Sequence, residues 1–391
     1  MKASHAKAGT PPALKAWVAG LTFDGADIPV RGVAQRMIHP GLEPIAGNGF
    51  VAAQPVRRVD IPGSWPCSVA MLHWPQRARE GQQADLEIEG HDSAVGALFT
   101  LVSDRRCEVV PEVFAHVEGT PSGQAIAIPL AGQADPALGS PMPEWGDLNR
   151  ELRITLARIS SLRDDDAWTI SAAMHMHYCA ALLAGNDLTG AYALAVGGIE
   201  ALSQRYGSPP SEWRDWDESA GWDAFMVGQG LTVDQCAALR DRLTAGKHMR
   251  LSETFATYVM ERLPAAFWEE PVSTYTWGVN GITGEPGEGT WGPGQPRAAA
   301  FAADLRQLKK ALKRSYQSRS RFIHVGERSV PFQGDLLTRI PGLDDGRLSF
   351  AALRAALRRL ILTEVERCAT ADRLPPIEWR LDTGGGAGGA S

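Results

Sequence analysis

The residues best suited to chemistry lie in the segment QSRSRFIHVGE, where Arg319 is followed five positions later by His324. Histidine has an ordinary pKa near neutrality, so it can take or release a proton at pH 7. Arginine provides a permanent, forked cation that can hold a phosphate. The two residue types therefore suit metal-free cleavage of RNA, in which a base activates the ribose 2′-OH for attack on phosphorus and a cation stabilises the developing charge.

The spacing of this pair leaves its geometry open. Five positions on an unbroken α-helix turn through about 140°, so either the helix breaks near the pair or the two side chains line a groove that something else completes. Arg319 also continues an apolar stripe through Leu312, Tyr316 and Ile323. Pairing of Arg319 with Glu200 in the core is therefore a second interpretation of the same residue.

Basic residues are concentrated in the segment that precedes this pair. The chain has a net charge of -6, yet residues 297–391 carry 17 basic and 10 acidic side chains, whereas residues 141–296 carry 11 and 21. Such a density can attract a polyanion, although a solvated helix face would have the same composition. The candidate RNA-binding residues are Lys309, Lys310, Lys313, Arg314 and Arg321.

The fold predicted from periodicity is α+β and multidomain. Short β-rich segments separated by turn residues, among them AVGALFTLVS, predict an all-β sandwich or barrel-like domain over residues 1–140. Apolar residues at helical spacing then predict an antiparallel α-helical bundle over residues 141–374, with a Trp-, Gly- and Pro-rich insertion. Residues 375–391 are predicted to be a flexible tail. The predicted helices are Glu144–Leu162, Asp166–Leu183, Asp187–Tyr206, Thr232–Leu243, Ser252–Leu263, Arg297–Ser318 and Phe350–Cys368.

Two other constellations are better explained by packing than by chemistry. In MHMHYC, His175 and Cys179 would share a helix face while His177 points elsewhere, so a three-ligand metal site would need a broken helix. Glu269 and Glu270 lie near several tryptophans, but adjacent carboxylates rarely flank one glycosidic bond. We therefore predict no metal and no cofactor, and we interpret the aromatic side chains as anchors of the insertion. These are Trp213, Trp216, Trp222, Trp268, Trp277 and Trp291.

The segment RSRFIHVGE after a long helix, with DLTGAYALAVGGIEALSQRYG as an earlier helix, resembles the HEPN superfamily and in particular its Apea-like branch. The later motif is matched by Arg319, Ser320 and His324 with the apolar residues between them, and its glycine comes one place late because Val325 intervenes. Glu200 matches the acidic position of the earlier helix. The direct resemblance covers only about 50 residues, and the rest of the bundle is included by inference.

The resemblance implies a metal-independent endoribonuclease, in prokaryotic antiphage defence or stress response, with Arg319, His324, Ser320 and Glu200 at its site. It also implies a homodimer, because active members commonly bring two motifs together. The alternative is a non-catalytic HEPN module that serves in dimerisation or in nucleotide or RNA binding. We expect RNA and a second copy as partners, a protein or small-molecule trigger at the N-terminal domain, and no membrane. Scattered cysteines and the absence of long apolar runs favour the cytoplasm.

Overall fold

The computed structural model is mainly helical in the part of the chain that it describes. That part comprises residues 34–40, 57–59, 67–73, 91–104, 107–110, 145–184, 187–208, 212–245, 250–272, 275–276, 290–291, 293–301, 303–325 and 346–370. The helices are α1 (His91–Ser103), α2 (Trp145–Ser161), α3 (Asp164–Leu183), α4 (Leu188–Tyr206), α5 (Ser219–Gly228), α6 (Val233–Ala245), α7 (Leu251–Arg262), α8 (Ala265–Glu269), α9 (Arg297–Ala300), α10 (Leu308–Val325) and α11 (Phe350–Cys368).

The predicted all-β sandwich or barrel in the N-terminal domain is wrong. The described strands of this half form one four-stranded antiparallel sheet in the order β2-β3-β1-β4, and no second sheet packs on it within the described residues. Two further pairs of two-residue strands lie near the insertion. The strands are β1 (Ala34–Pro40), β2 (Arg57–Val59), β3 (Cys67–His73), β4 (Glu108–Val110), β5 (Pro271–Val272), β6 (Tyr275–Thr276), β7 (Thr290–Trp291) and β8 (Gln295–Pro296).

The segment AVGALFTLVS, predicted as a strand, belongs to helix α1. Its side chains Leu98, Phe99 and Leu101 are fully buried in the same apolar core as the later helices. A short continuous apolar run is compatible with a buried strand or a buried helix, which explains the error. Helix α1 ends at Ser103, and the backbone of the next residue, Asp104, adopts the left-handed conformation (φ 57°). The N-terminal half therefore contributes a helix to the main core.

Helices α3 and α4 form the centre of that core. They pack on each other along their length, α11 packs on both, and α1 packs on α3. On the other side, α7 and α10 pack together and both contact α4. Helices α4 and α11 approach so closely at Gly198 that a Cβ atom there would lie 2.7 Å from Leu357 Cδ2. A larger residue at this position would require the Leu357 side chain to move.

Local sequence signals explain where the central helices begin. Asp164, Asp165 and Asp166 occupy the first turn of α3, where negative charge is favourable. The carboxylate of Asp187 accepts a hydrogen bond from the Gly190 backbone N–H at 3.0 Å at the start of α4. Ser349 caps α11 in the same way. Helices α3, α4 and α11 therefore lie close to the ranges predicted for them from the sequence.

The helix predicted over Arg297–Ser318 is divided. Helix α9 ends at Ala300, a 3-10 turn follows at Leu305–Gln307, and α10 then runs without interruption to Val325. The part of the HEPN-like segment that the structure describes, residues 319–325, is therefore helical throughout. Among the described helices, none is both long and apolar enough to cross a lipid bilayer. The predicted domain boundaries remain predictions, and the tail over residues 375–391 lies outside the described residues.

Candidate functional site

Two predicted site residues from different helices meet in an ion pair. Arg319 on α10 places Nη1 3.1 Å from Oε2 of Glu200 on α4. The other carboxylate oxygen of Glu200 accepts hydrogen bonds from Tyr316 Oη and Gln204 Nε2, each at 3.1 Å. Glu200 is nearly buried, whereas 23% of the Arg319 side chain is exposed. Both oxygens of the carboxylate are thus used, and the guanidinium is fixed at the edge of the core.

Tyr316 strengthens this arrangement. Its ring packs on Phe255 with centroids 5.6 Å apart. Burial and the neighbouring Glu200 carboxylate raise the pKa of Tyr316 to about 12, so its hydroxyl remains a hydrogen-bond donor at neutral pH. The sequence stripe predicted Tyr316 only as an apolar contact, and its hydroxyl bond to Glu200 was missed together with that of Gln204.

His324 is exposed in the last turn of α10, on another side of the helix from Arg319. Because the helix is unbroken, the two side chains leave it about 140° apart, and the interpretation that requires a helix break is excluded. Ser320 is half-buried between them in sequence, and Arg321 is exposed. One chain therefore does not bring Arg319 and His324 to a single face of α10.

The predicted RNA-binding residues have three kinds of surroundings. Lys309 and Lys313 both form ion pairs with Asp217 and with the buried Glu253. Lys310 and Arg321 are exposed and form no ion pair with any residue that the structure describes. Arg314 is half-buried and lies against Gly346.

Electrostatics explain why the two paired lysines are not exposed cations. Burial opposes the charged form of Lys309, but hydrogen bonds to Glu253 and Asp217 outweigh it and raise the pKa of this lysine. Burial likewise works against ionisation of Asp217, yet hydrogen bonds from Lys313 and Lys309 lower the pKa of its carboxyl group. Sequence reasoning missed Asp217 and Glu253 because both lie far from α10 along the chain.

The other constellations have structural partners. Helix α3 is unbroken, His177 is buried, and Sγ of Cys179 lies 3.4 Å from Nε2 of His175 on the opposite, exposed side. No group of three or more His, Cys, Asp or Glu side chains that could hold a metal ion occurs within the described residues.

The carboxylates near the tryptophans also do not face each other across a cleft. Glu270 binds Arg297 at 2.6 Å and Arg359 at 2.7 Å, while Glu269 is exposed. Trp213, Trp216 and Trp222 pack on one another, as expected of aromatic anchors. Trp268 is buried, Trp277 lies outside the described residues, and the backbone of Trp291 belongs to β7.

Comparison of the chain with known protein families, curated proteins and solved structures identifies no relative. No protein-family model matches the chain, and no curated protein or solved structure is significantly similar to it.

Proposed function

We propose that the protein is a metal-independent endoribonuclease of HEPN type that acts as a homodimer. The observation that carries the proposal is the ion pair between Arg319 and Glu200, because the motif resemblance selected both residues from distant parts of the sequence. Glu200 holds the guanidinium at the edge of the core, where its partly exposed side can meet a phosphate. A role in defence or stress response rests on the resemblance alone, and a cytoplasmic location rests on the scattered cysteines and the lack of long apolar runs.

A second copy would complete the site. His324 and Arg319 leave α10 in different directions, so one chain supplies each group but not their convergence. Ile323, next to His324, is 51% exposed and would be available for contact with the second copy. Two copies with facing α10 ends would provide two histidines and two arginines.

The chemistry of such a site follows from these groups. One His324 removes the proton from a ribose 2′-OH, the 2′ oxygen forms a bond to the adjacent phosphorus, and the bond from phosphorus to the 5′ oxygen breaks. The other His324 gives a proton to the departing 5′ oxygen. Arg319 stabilises the negative charge on the non-bridging oxygens. The products are a 2′,3′-cyclic phosphate and a 5′-hydroxyl, and DNA is not cut because it lacks the nucleophile.

The test is incubation of the purified protein with mixed single-stranded RNA in EDTA, with analysis of the product ends. We expect cleavage that leaves 2′,3′-cyclic phosphates, and a loss of about 10²–10⁴ in rate for His324→Ala. His175→Ala is the matched control, since this histidine is also exposed on a helix but lies on α3. Cleavage that requires added Mg²⁺, or equal rates for the two variants, would contradict the proposal, as would RNA cleavage by a protein that light scattering shows to be monomeric.

The alternative function is a non-catalytic scaffold that binds a partner, a nucleotide or RNA. The same ion pair favours it in one respect, because Glu200 already satisfies Arg319 within the fold. A scaffold predicts intact wild-type protein with no RNase activity, and loss of stability as the main effect of changing Arg319. The nuclease predicts an inactive but folded His324→Ala protein.

A further inference from the structure

The carboxylate of Asp217 bridges two lysines on α10. Its Oδ1 lies 3.0 Å from Nζ of Lys309, and its Oδ2 lies 2.5 Å from Nζ of Lys313. Beneath them, Glu253 contacts the same two ammonium groups and is only 1% exposed. The four charges cancel. Without Asp217, the two lysines and Glu253 would carry one net positive charge at the protein surface.

The two acidic partners differ in how firmly they are held. Glu253 is buried on α7 and cannot leave the lysines without an uncompensated charge in the core. Asp217 has half of its side chain exposed, and exposed ion pairs contribute little to stability. Of the two carboxylates, Asp217 is therefore the one that an external anion can replace.

The position of Asp217 indicates which anion would fit. Its single negative charge is shared by two oxygens, and each oxygen faces one ammonium group. A backbone phosphodiester also has one negative charge shared by two non-bridging oxygens, and lysine is a common point-charge partner of phosphate. Asp217 thus occupies the place, and makes the contacts, that a phosphate of a nucleic-acid backbone would take between Lys309 and Lys313.

Asp217 belongs to an acidic segment that is only loosely attached to the rest of the described fold. Residues 212–245 contain seven acidic and three basic side chains, so the segment opposes the approach of a polyanion. The turn at Asp217 is fixed by Trp216, which is nearly buried and packs against Trp213 and Trp222. Its helices α5 and α6 make few contacts with the rest of the described fold. Displacement of the Asp217 carboxylate would therefore disturb little of the core.

We propose that Lys309 and Lys313 form a seat for one backbone phosphate of RNA, and that Asp217 is an internal competitor that fills this seat in the free protein. RNA binds by replacing Asp217, while Glu253 keeps the two lysines in place. The acidic segment 212–245 thereby lowers the affinity of the resting protein for RNA. The identity of the ligand as RNA rests on the proposed function, whereas the seat itself rests on the contacts of Asp217.

The experiment compares the affinity of Asp217→Asn and Asp241→Asn for a 2′-O-methyl RNA, which cannot be cleaved, and for inorganic polyphosphate. Asp241 is exposed on α6 in the same segment, so its variant has the same change in net charge without opening the seat. We expect Asp217→Asn to bind both probes about three- to tenfold more tightly than Asp241→Asn does. Lys309→Gln in the Asp217→Asn background should remove this gain in affinity, because the remaining Lys313 and Glu253 have no net positive charge. Lys313 still neutralises the buried Glu253, so the double variant should fold.

Each outcome bears on one of the two proposals. Equal affinities for the two asparagine variants would overturn the seat, whether or not the wild-type protein cuts RNA. A gain with polyphosphate but none with RNA would keep the phosphate seat and overturn RNA as its ligand. A gain that survives Lys309→Gln would also overturn the seat, because the released lysines would then not be its cause. Melting temperatures of all variants, measured in parallel, establish that each one is folded.

Discussion

Helices α10 and α11 are both rich in basic side chains, but they use them in opposite ways. On α11, Arg354 is 1% exposed and donates to the backbone carbonyl of Asp104 at 3.1 Å, and Arg358 donates to the carbonyls of Leu101 and Val102 at 2.6 and 2.8 Å. These arginines thus provide hydrogen-bond donors for the backbone carbonyls at the C-terminal end of α1. On α10, Lys310 and Arg321 point into solvent. A basic run alone therefore does not indicate a binding surface, because its side chains can instead bind backbone carbonyls of the fold.

The largest effect on the free energy of unfolding is expected for a substitution on α11. Arg354→Met should lower the free energy of unfolding by about 3–5 kcal/mol, because it removes the buried guanidinium that lies 3.2 Å from the Asp104 carboxylate, whose side chain is 15% exposed. Lys310→Met on α10 should leave the free energy of unfolding unchanged. Denaturant unfolding followed by circular dichroism measures both. Similar losses for the two variants would remove the distinction between the helices.

Arg319 lies between these extremes, because its ion pair is only partly exposed. Arg319→Met should lower the free energy of unfolding by about 1–3 kcal/mol, since Glu200 is left nearly buried without its cation. Adding Glu200→Gln should recover part of that loss. If Arg319 also holds the scissile phosphate, the double variant remains inactive although its stability recovers. Recovery of RNase activity together with stability would assign Arg319 to the interior group, with the arginines of α11.

The pH dependence of stability should reveal the effect of the buried arginines on the pKa of His177. Burial, followed by the charges of Arg354 and Arg358, lowers the pKa of this histidine well below 6.5, so it is neutral when the protein is folded. The unfolded chain takes up the proton as pH falls below about 6.5, and stability therefore decreases from there toward the lowered folded pKa. The contribution is at most about 1.4 kcal/mol per pH unit. Denaturation of wild type and His177→Leu between pH 7 and 5 should show a smaller slope in the variant, and parallel slopes would contradict this assignment.

The smallest effect concerns the solvent-facing cations of α10. If each contacts one RNA phosphate, Lys310→Gln and Arg321→Gln should each reduce the slope of log affinity against log salt by about 0.7. Arg359→Gln on α11 is the control, because that arginine is 40% exposed but bound to Glu270. Titrations of an uncleavable RNA at several salt concentrations give the slopes. An affinity that does not depend on salt would exclude phosphate contacts at α10 altogether.

The sequence predicts α4 and α11 well because each has a long apolar stripe. It fails at α1, where ten consecutive mostly apolar residues have no polar face to reveal the period, and burial on all sides is decided by helices much later in the chain. At the candidate site, the sequence predicts the pairing of Arg319 with Glu200 as an alternative because Arg319 continues the apolar stripe of its helix. It does not predict the partners of Lys309 and Lys313, because no local pattern relates Asp217 and Glu253 to α10.

The burial of α1 also has a consequence for how the protein is made. Its partner Arg354 lies 250 residues after Asp104, so a ribosome that adds about 5–20 residues per second delivers α11 on the order of 10–50 s after α1. During that interval the core that buries Leu98, Phe99 and Leu101 is incomplete. The apolar side chains of α1 therefore remain exposed until α11 has been synthesised. In nascent chains stalled before residue 350, α1 should therefore be accessible to proteases and should bind chaperones. In full-length chains, α1 should be buried and protected from proteolysis. Synthesis of α11, the last helix among the described residues, thus determines when the apolar side chains of α1 become protected from aggregation.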